Sequence, residues 1–261
     1  MRKPFNAKIE LMELIKYQKK ETVAYITFNR PESLNAFNVP MFHEFDTILD
    51  KIETDDDIKI IVVAGAGRAF SAGVDLKTTA PSDFQKGAAF MELGKIIGDK
   101  IANSSKVTIA QVHGFCFTGA LEMMLFFDLA YCATDTKFGD THAKFSIIPQ
   151  WGMSQRLARR VGLNKAKELT FRALRINGQE AERIGLVNQA FPLETLGEEV
   201  TKITNEIAQN SFEAIKVIKI LYNQGFETTL KEGLILEQNA DTALKNTGEQ
   251  LNKFGSKASD F

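Results

Sequence analysis

Cysteine is nearly absent from this chain: Cys116 and Cys132 are the two in 261 residues, and both lie in apolar stretches. That excludes the disulfide framework of a small secreted domain and CxxC metal chemistry, so both thiols read as reduced core residues. Histidine is almost as scarce, and His43, His113 and His142 have no HExxH-type spacing, so no metal is expected. Neither charge sign is in excess: 32 Lys and Arg face 33 Asp and Glu, for a net charge of -1. Such a balance offers no basic surface for nucleic acid or an anionic membrane. Long hydrophobic runs are missing too. The most apolar stretch, 107–133, is interrupted by Gly114, Gly119, Glu122 and Asp128, short of the roughly 18 unbroken residues of a membrane span. Lys8, Glu10, Glu13 and Lys16 break up the start in the same way, which leaves no signal segment and the expectation of a cytoplasmic protein.

What the chain does contain is a packed core, since 44% of its residues are apolar and 25% charged, too apolar for a disordered chain. The β-branched and aromatic run 23–28 and the segment 11–17 read as a hairpin separated by Lys19-Lys20-Glu21. Phe42, Phe45, Ile48, Leu49 and Ile52 recur at helical spacing, and Thr54-Asp55-Asp56-Asp57 stops the pattern. A buried strand over 58–64, a helix over about 83–104 and a strand over 107–112 follow. Beyond them the pattern gives a helix from Gly119, a strand over 128–133, a short strand at Lys137-Phe138-Gly139 and a strand over 186–191. The last seventy or so residues are helical and charged on one face. Strands alternating with helices make this an α/β chain, and no linker divides it.

Several chemistries fail on spacing. Gly65-Ala66-Gly67 follows a strand, but a dinucleotide fingerprint needs a third glycine where Phe70 stands. No GxxxxGK[ST] phosphate loop is present. Ser71 in Ala69-Phe70-Ser71-Ala72-Gly73 loosely mimics a nucleophile elbow, yet it sits about seven residues past the strand instead of at its end. A serine hydrolase is therefore a runner-up.

Two glycine-containing turns, 70–75 and 113–120, each follow a buried strand, and the second leads into a helix. Amides at a helix start have no partner within the helix and attract negative charge. An amide from each turn aimed at one oxygen would stabilise charge developing there. Tight turns alone explain the glycines equally well. Glu122 lies one turn further on, among Leu121, Met123, Met124, Leu125, Phe126 and Phe127. A carboxylate in so apolar a run is costly unless it is hydrogen-bonded or functional, which makes it a candidate acid or base. Asp128, at the end of the run, reads as a cap or brace for the following strand.

With these pieces in place, the chain resembles the enoyl-CoA hydratase/isomerase (crotonase) superfamily. The matching segments are Asn29-Arg30-Pro31 through Leu34-Asn35-Ala36, then 68–77, 114–128, Lys137-Phe138-Gly139, 148–157, Gly178-Gln179-Glu180-Ala181 and Gly185-Leu186-Val187-Asn188. They run in order along nearly the whole chain. The resemblance implies a spiral of ββα units, placed here in residues 1–195 with the acyl-CoA site, and a C-terminal helical trimerisation region in 196–261. It further implies a homotrimer or homohexamer with no nucleic-acid or membrane partner, and no cofactor beyond coenzyme A carried by the substrate. Carried over position by position, the amides of Ala72 and Gly119 form an oxyanion hole for the thioester carbonyl. Ser33, Leu34, Ala36, Asp75, Phe254 and Lys257 match stretches that hold CoA, and Glu122 matches the first of two catalytic glutamates.

Two departures stand out. Asp140-Thr141-His142 replaces the usual Gln-Pro-Glu, so His142 occupies the second glutamate position, where an imidazole can relay protons, orient water or merely pack. Gln150-Trp151 replaces a small Gly-Ala pair, which narrows or reshapes the acyl pocket. The leading expectation is hydration of a trans-2-enoyl-CoA to the 3-hydroxyacyl-CoA through an oxyanion-stabilised enolate. An enoyl-CoA isomerase, which needs one base and no water, is the nearest alternative, and a non-catalytic acyl-CoA binding protein is the third.

Overall fold

The structure is a computed structural model that describes residues 13–76, 84–240, 244, 246–248 and 251–252. The chain opens with the expected hairpin, β1 (Ile15–Lys20) against β2 (Val23–Phe28), shifted so that Lys19 and Lys20 belong to the first strand. The turn falls on Glu21 and Thr22, with Glu21 at φ +50°. Asn38 then caps α1 (Val39–Glu53) by accepting the Met41 amide, and the periodic residues Met41, Phe42, Phe45, Ile48, Leu49 and Ile52 are its buried face.

Strand β3 (Ile60–Gly65) begins later than the apolar run, because the Ile58 amide closes a turn onto Asp55. Helix α2 (Phe84–Asn103) and strand β4 (Val107–Val112) match expectation. Strand β5 (Phe115–Phe117) leads into α3 (Gly119–Met124), β6 (Leu129–Ala133) and β7 (Lys137–Gly139). The helices α4 (Met153–Val161) and α5 (Leu163–Phe171), strand β8 (Arg175–Ile176), helix α6 (Gly178–Arg183) and strand β9 (Gln189–Phe191) follow. The expected strand over 186–191 shrinks to its last three residues, since the amides of Leu186 and Val187 turn back onto the Ala181 carbonyl. Helices α7 (Leu193–Gln209), α8 (Phe212–Gly225) and α9 (Leu230–Gln238) follow.

Strands pair in the order β1-β2-β3-β4-β6-β9, antiparallel at the first pair and parallel thereafter, and β5-β7-β8 form a second, three-stranded sheet. Strands buried on both faces are why β3 reads as a continuous apolar run. Its Ile61 and Val63 join the core under α1 and α3, while Ile60 and Val62 face Leu196 and Val200 of α7. In the first core Phe28 meets Phe37, Phe45 and Phe70 edge-on at 5.2–5.4 Å. Each such pair contributes roughly 1 kcal/mol beyond its area burial. That aromatic cluster anchors the first of the two turns that carry the site: Phe70 opens it, and Phe37 pairs with its Val74.

Candidate active site

The first turn is held on both sides by main chain. The Phe70 amide donates to His113 O, Ser71 to Phe115 O, Ala72 to Leu34 O at 2.9 Å, and Asp75 to Phe37 O. Gly73 sits at φ +98°, and a Cβ there would meet Phe117 O at 2.7 Å, so only glycine lets this turn close on the second. The position of that Cβ is 3.4 Å from Gly119 N, which puts the two turns side by side. Ala72 and Gly119 are therefore neighbours, but not equivalent: Gly119 begins α3 behind a strained Thr118 at φ +50°, whereas the Ala72 amide is already engaged with Leu34. Ser71 is fully buried, donating its hydroxyl to Asn35 O and accepting the Gly73 amide. Both capacities of the hydroxyl serve the turn, which removes the nucleophile reading.

Four of the residues expected to hold CoA lie around one guanidinium. Arg30 reaches Ser33 Oγ, the Ala36 carbonyl and Asp75 Oδ2, and Leu34 stands among them at φ +50°. Beneath them, Asn35 takes the Arg30 amide on its side-chain oxygen and donates to Ala66 O and Ala69 O. Phe254 and Lys257 lie outside the described residues.

Glu122 is 3% exposed and fully used. Its Oε1 accepts the amides of Trp151 at 2.9 Å and Met153 at 3.3 Å, and its Oε2 lies 3.3 Å from His142 Nε2. The opposite ring nitrogen, Nδ1, is 2.6 Å from Asp140 Oδ1, and Asp140 Oδ2 accepts the Thr170 hydroxyl at 2.6 Å. A buried line thus runs Glu122, His142, Asp140, Thr170. Burial pushes the His142 pKa down, but hydrogen bonds and charge from Asp140 and Glu122 outweigh it and raise the pKa to about 9. That direction favours the imidazolium form of the ring. Burial likewise opposes ionisation of Asp140, and bonds from His142 and Thr170 overcome it, lowering its pKa below the usual carboxylate value.

A family profile described as enoyl-CoA hydratase/isomerase matches residues 18–257. The chain belongs to the enoyl-CoA hydratase/isomerase family. It is 34% identical over 226 residues to a probable enoyl-CoA hydratase of Mycobacterium bovis, covering 87% of each chain. A short-chain-enoyl-CoA hydratase of Clostridium acetobutylicum is 32% identical, with 89% of this chain and 90% of that one covered. The crystal structure of an enoyl-CoA hydratase from Bacillus anthracis superposes with a TM-score of 0.90 at 28% identity, covering 94% of this chain and 96% of that one. The crotonase-like α/β fold expected from the sequence is the one observed.

Sequence reasoning missed five contributors in this enoyl-CoA hydratase/isomerase site: Asp140, Thr170, Asn35 and the main-chain amides of Trp151 and Met153. Asp140 had a signal, an acid two residues before a histidine in a buried stretch. Thr170 had none, because it comes from α5 and meets Asp140 only in the fold.

Proposed function

We propose that the protein hydrates trans-2-enoyl-CoA to 3-hydroxyacyl-CoA, with Glu122 as the base and the His142 imidazolium as the acid. The observation that carries this reading is the buried contact between Glu122 Oε2 and His142 Nε2, one helical turn from the Gly119 amide. Water gives a proton to Glu122 as its oxygen bonds to Cβ, and the double-bond electrons move toward the thioester carbonyl. The Gly119 and Ala72 amides receive the enolate oxygen, the Ala72 amide by sharing or leaving Leu34 O, so they bind the charge that develops more strongly than the ground state. His142 delivers its Nε2 proton to Cα and keeps its Nδ1 proton on Asp140. Glu122 then returns its proton to His142 across their contact, and one water has been added.

Coenzyme A enters as part of the substrate, and the cluster of Ser33, Leu34, Ala36 and Asp75 about Arg30 supports its placement there. Exposed Tyr222, Phe226, Leu230 and Leu234 on and beside α8 and α9 support a homotrimer or homohexamer. Among the described residues no helix is long and apolar enough to cross a membrane.

Isomerisation is the second reading, since shifting a double bond needs one base and no water, and only one of the two glutamate positions holds a glutamate, Glu122. The test is turnover of crotonyl-CoA, followed by loss of the conjugated thioester absorbance, beside turnover of a 3-enoyl-CoA. Hydration of crotonyl-CoA by the wild type, lost in Glu122→Gln and His142→Ala, is the expected result. Conversion of only the 3-enoyl substrate would replace hydration with isomerisation.

A further inference from the structure

Trp151 is 2% exposed, and its indole fills the space between two glycines on different helices. A Cβ on Gly94 of α2 would meet ring atoms at 2.3–2.7 Å, and a Cβ on Gly119 of α3 would meet the far edge of the ring at 3.0 Å. The ring is pinned: Nε1–H donates to Met91 O at 2.8 Å, and the Phe42 and Phe90 rings pack on it at 5.6 and 5.8 Å. Its main-chain amide holds Glu122 Oε1 at 2.9 Å. Any molecule that meets both the Gly119 amide and the Glu122 carboxylate therefore has this indole as its neighbour.

Trp151 also lines a cleft of about 1300 Å³ bounded by α2, α4 and α8, together with residues such as Asp99, Arg156, Ile218 and Tyr222. Trp151 lines that space, whereas Glu122, His142, Ala72 and Gly119 do not. Glycine at 94 and 119 leaves room for the ring, and the Met91 bond and the two phenylalanines keep it from swinging aside. Buried rings packed on several sides yield little, because interiors are close-packed.

We propose that Trp151 is the specificity-determining wall of the acyl site, closing it off from the cleft and restricting the protein to short acyl chains. This rests on the acyl-CoA reading above. An acyl tail longer than the space before the indole has to displace it, and a single surplus methylene against a rigid wall alters specificity by about tenfold or more. Removing the indole joins the site to the cleft and gives a longer tail somewhere to go.

The experiment compares straight-chain trans-2-enoyl-CoA substrates of four, six, eight and ten carbons, with wild type, Trp151→Ala and Trp151→Leu. Calorimetric binding of the saturated butyryl- and octanoyl-CoA runs in parallel. In the wild type kcat/KM falls at least tenfold from four to eight carbons, and in the variants the eight-to-four ratio rises at least tenfold. The leucine variant keeps more of the buried volume, so it reports even where the alanine variant fails to fold. The proposal is overturned by an unchanged ratio in a folded variant, or by a wild type that takes ten carbons as readily as four. The binding arm separates the two levels of inference. Butyryl-CoA binding without turnover, with octanoyl-CoA bound only by the variants, retains the wall and rejects the hydratase. Absence of acyl-CoA binding by the folded wild type rejects both.

Discussion

Glu122 and Asp128 stand at opposite ends of one apolar run, and their surroundings set a reactive region against a structural one. Asp128 Oδ2 accepts the Thr108 amide at 2.8 Å and the Thr108 hydroxyl at 3.0 Å, and takes Lys219 Nζ of α8 at 2.7 Å. It ties β4 to the C-terminal helices. Glu122 also has three donors, but one is an imidazolium that can release its proton and take one back. The two carboxylates have the same number of partners, so on the proposed mechanism the chemistry of a partner, not how well the carboxylate is satisfied, separates the proposed base Glu122 from the brace Asp128.

The contrast breaks most sharply at Glu122. Glu122→Gln removes the base and turns an amide N–H toward either His142 or the Trp151 and Met153 amides, so crotonyl-CoA turnover is expected to fall by about a thousandfold. Steady-state kinetics on folded variant check this, and near-wild-type rates would return Glu122 to the structural class. His142→Ala leaves the base but removes the proton donor, with an expected loss of about a hundredfold.

A smaller effect sharpens the role of the line behind the imidazole. The His142 pKa is raised from 6.5 to about 9, so the stability this group adds is full below 6.5 and lost as pH rises through about 9. The alkaline limb of the rate profile should fall over the same upper range, as the acid form disappears. Asp140→Asn removes the neighbouring charge, so that limb should move to lower pH, with a rate loss of about tenfold at pH 8 and much less at pH 6. A pH–rate profile of the variant that overlays the wild type would show that Asp140 acts only in packing. The smallest effect on rate belongs to the brace. Asp128→Ala should lower stability by about 1–3 kcal/mol in denaturant titrations while turnover per folded molecule stays within about twofold.

How much of this was legible varies with how local each feature is. Helix α1 could be read because its apolar spacing lies in one segment, whereas Asp128, expected to brace the strand that follows it, holds Thr108 of β4 and Lys219 of α8 instead. The strand over 186–191 was read too long, because apolar composition does not reveal that two of its amides turn back to Ala181. In the site, Glu122 betrayed itself by its apolar flanks, and the glycine turns by their position after strands. The engagement of the Ala72 amide with Leu34 left no trace in spacing, since it depends on how a loop nearly forty residues earlier is packed. The sites at Phe254 and Lys257 fall outside the described residues.

The sequence by itself determined the α/β alternation, the buried sheet and the family, because periodicity, turn chemistry and ordered motifs are written in neighbouring residues. Only the tertiary structure decided that the His142 pKa is raised, that Asp140 and Thr170 stand behind it, and that one indole fills the gap between Gly94 and Gly119. Those properties come from burial and from groups brought together by different helices. A proton's affinity and the shape of a cavity depend on what surrounds them in space, which no single stretch of chain contains.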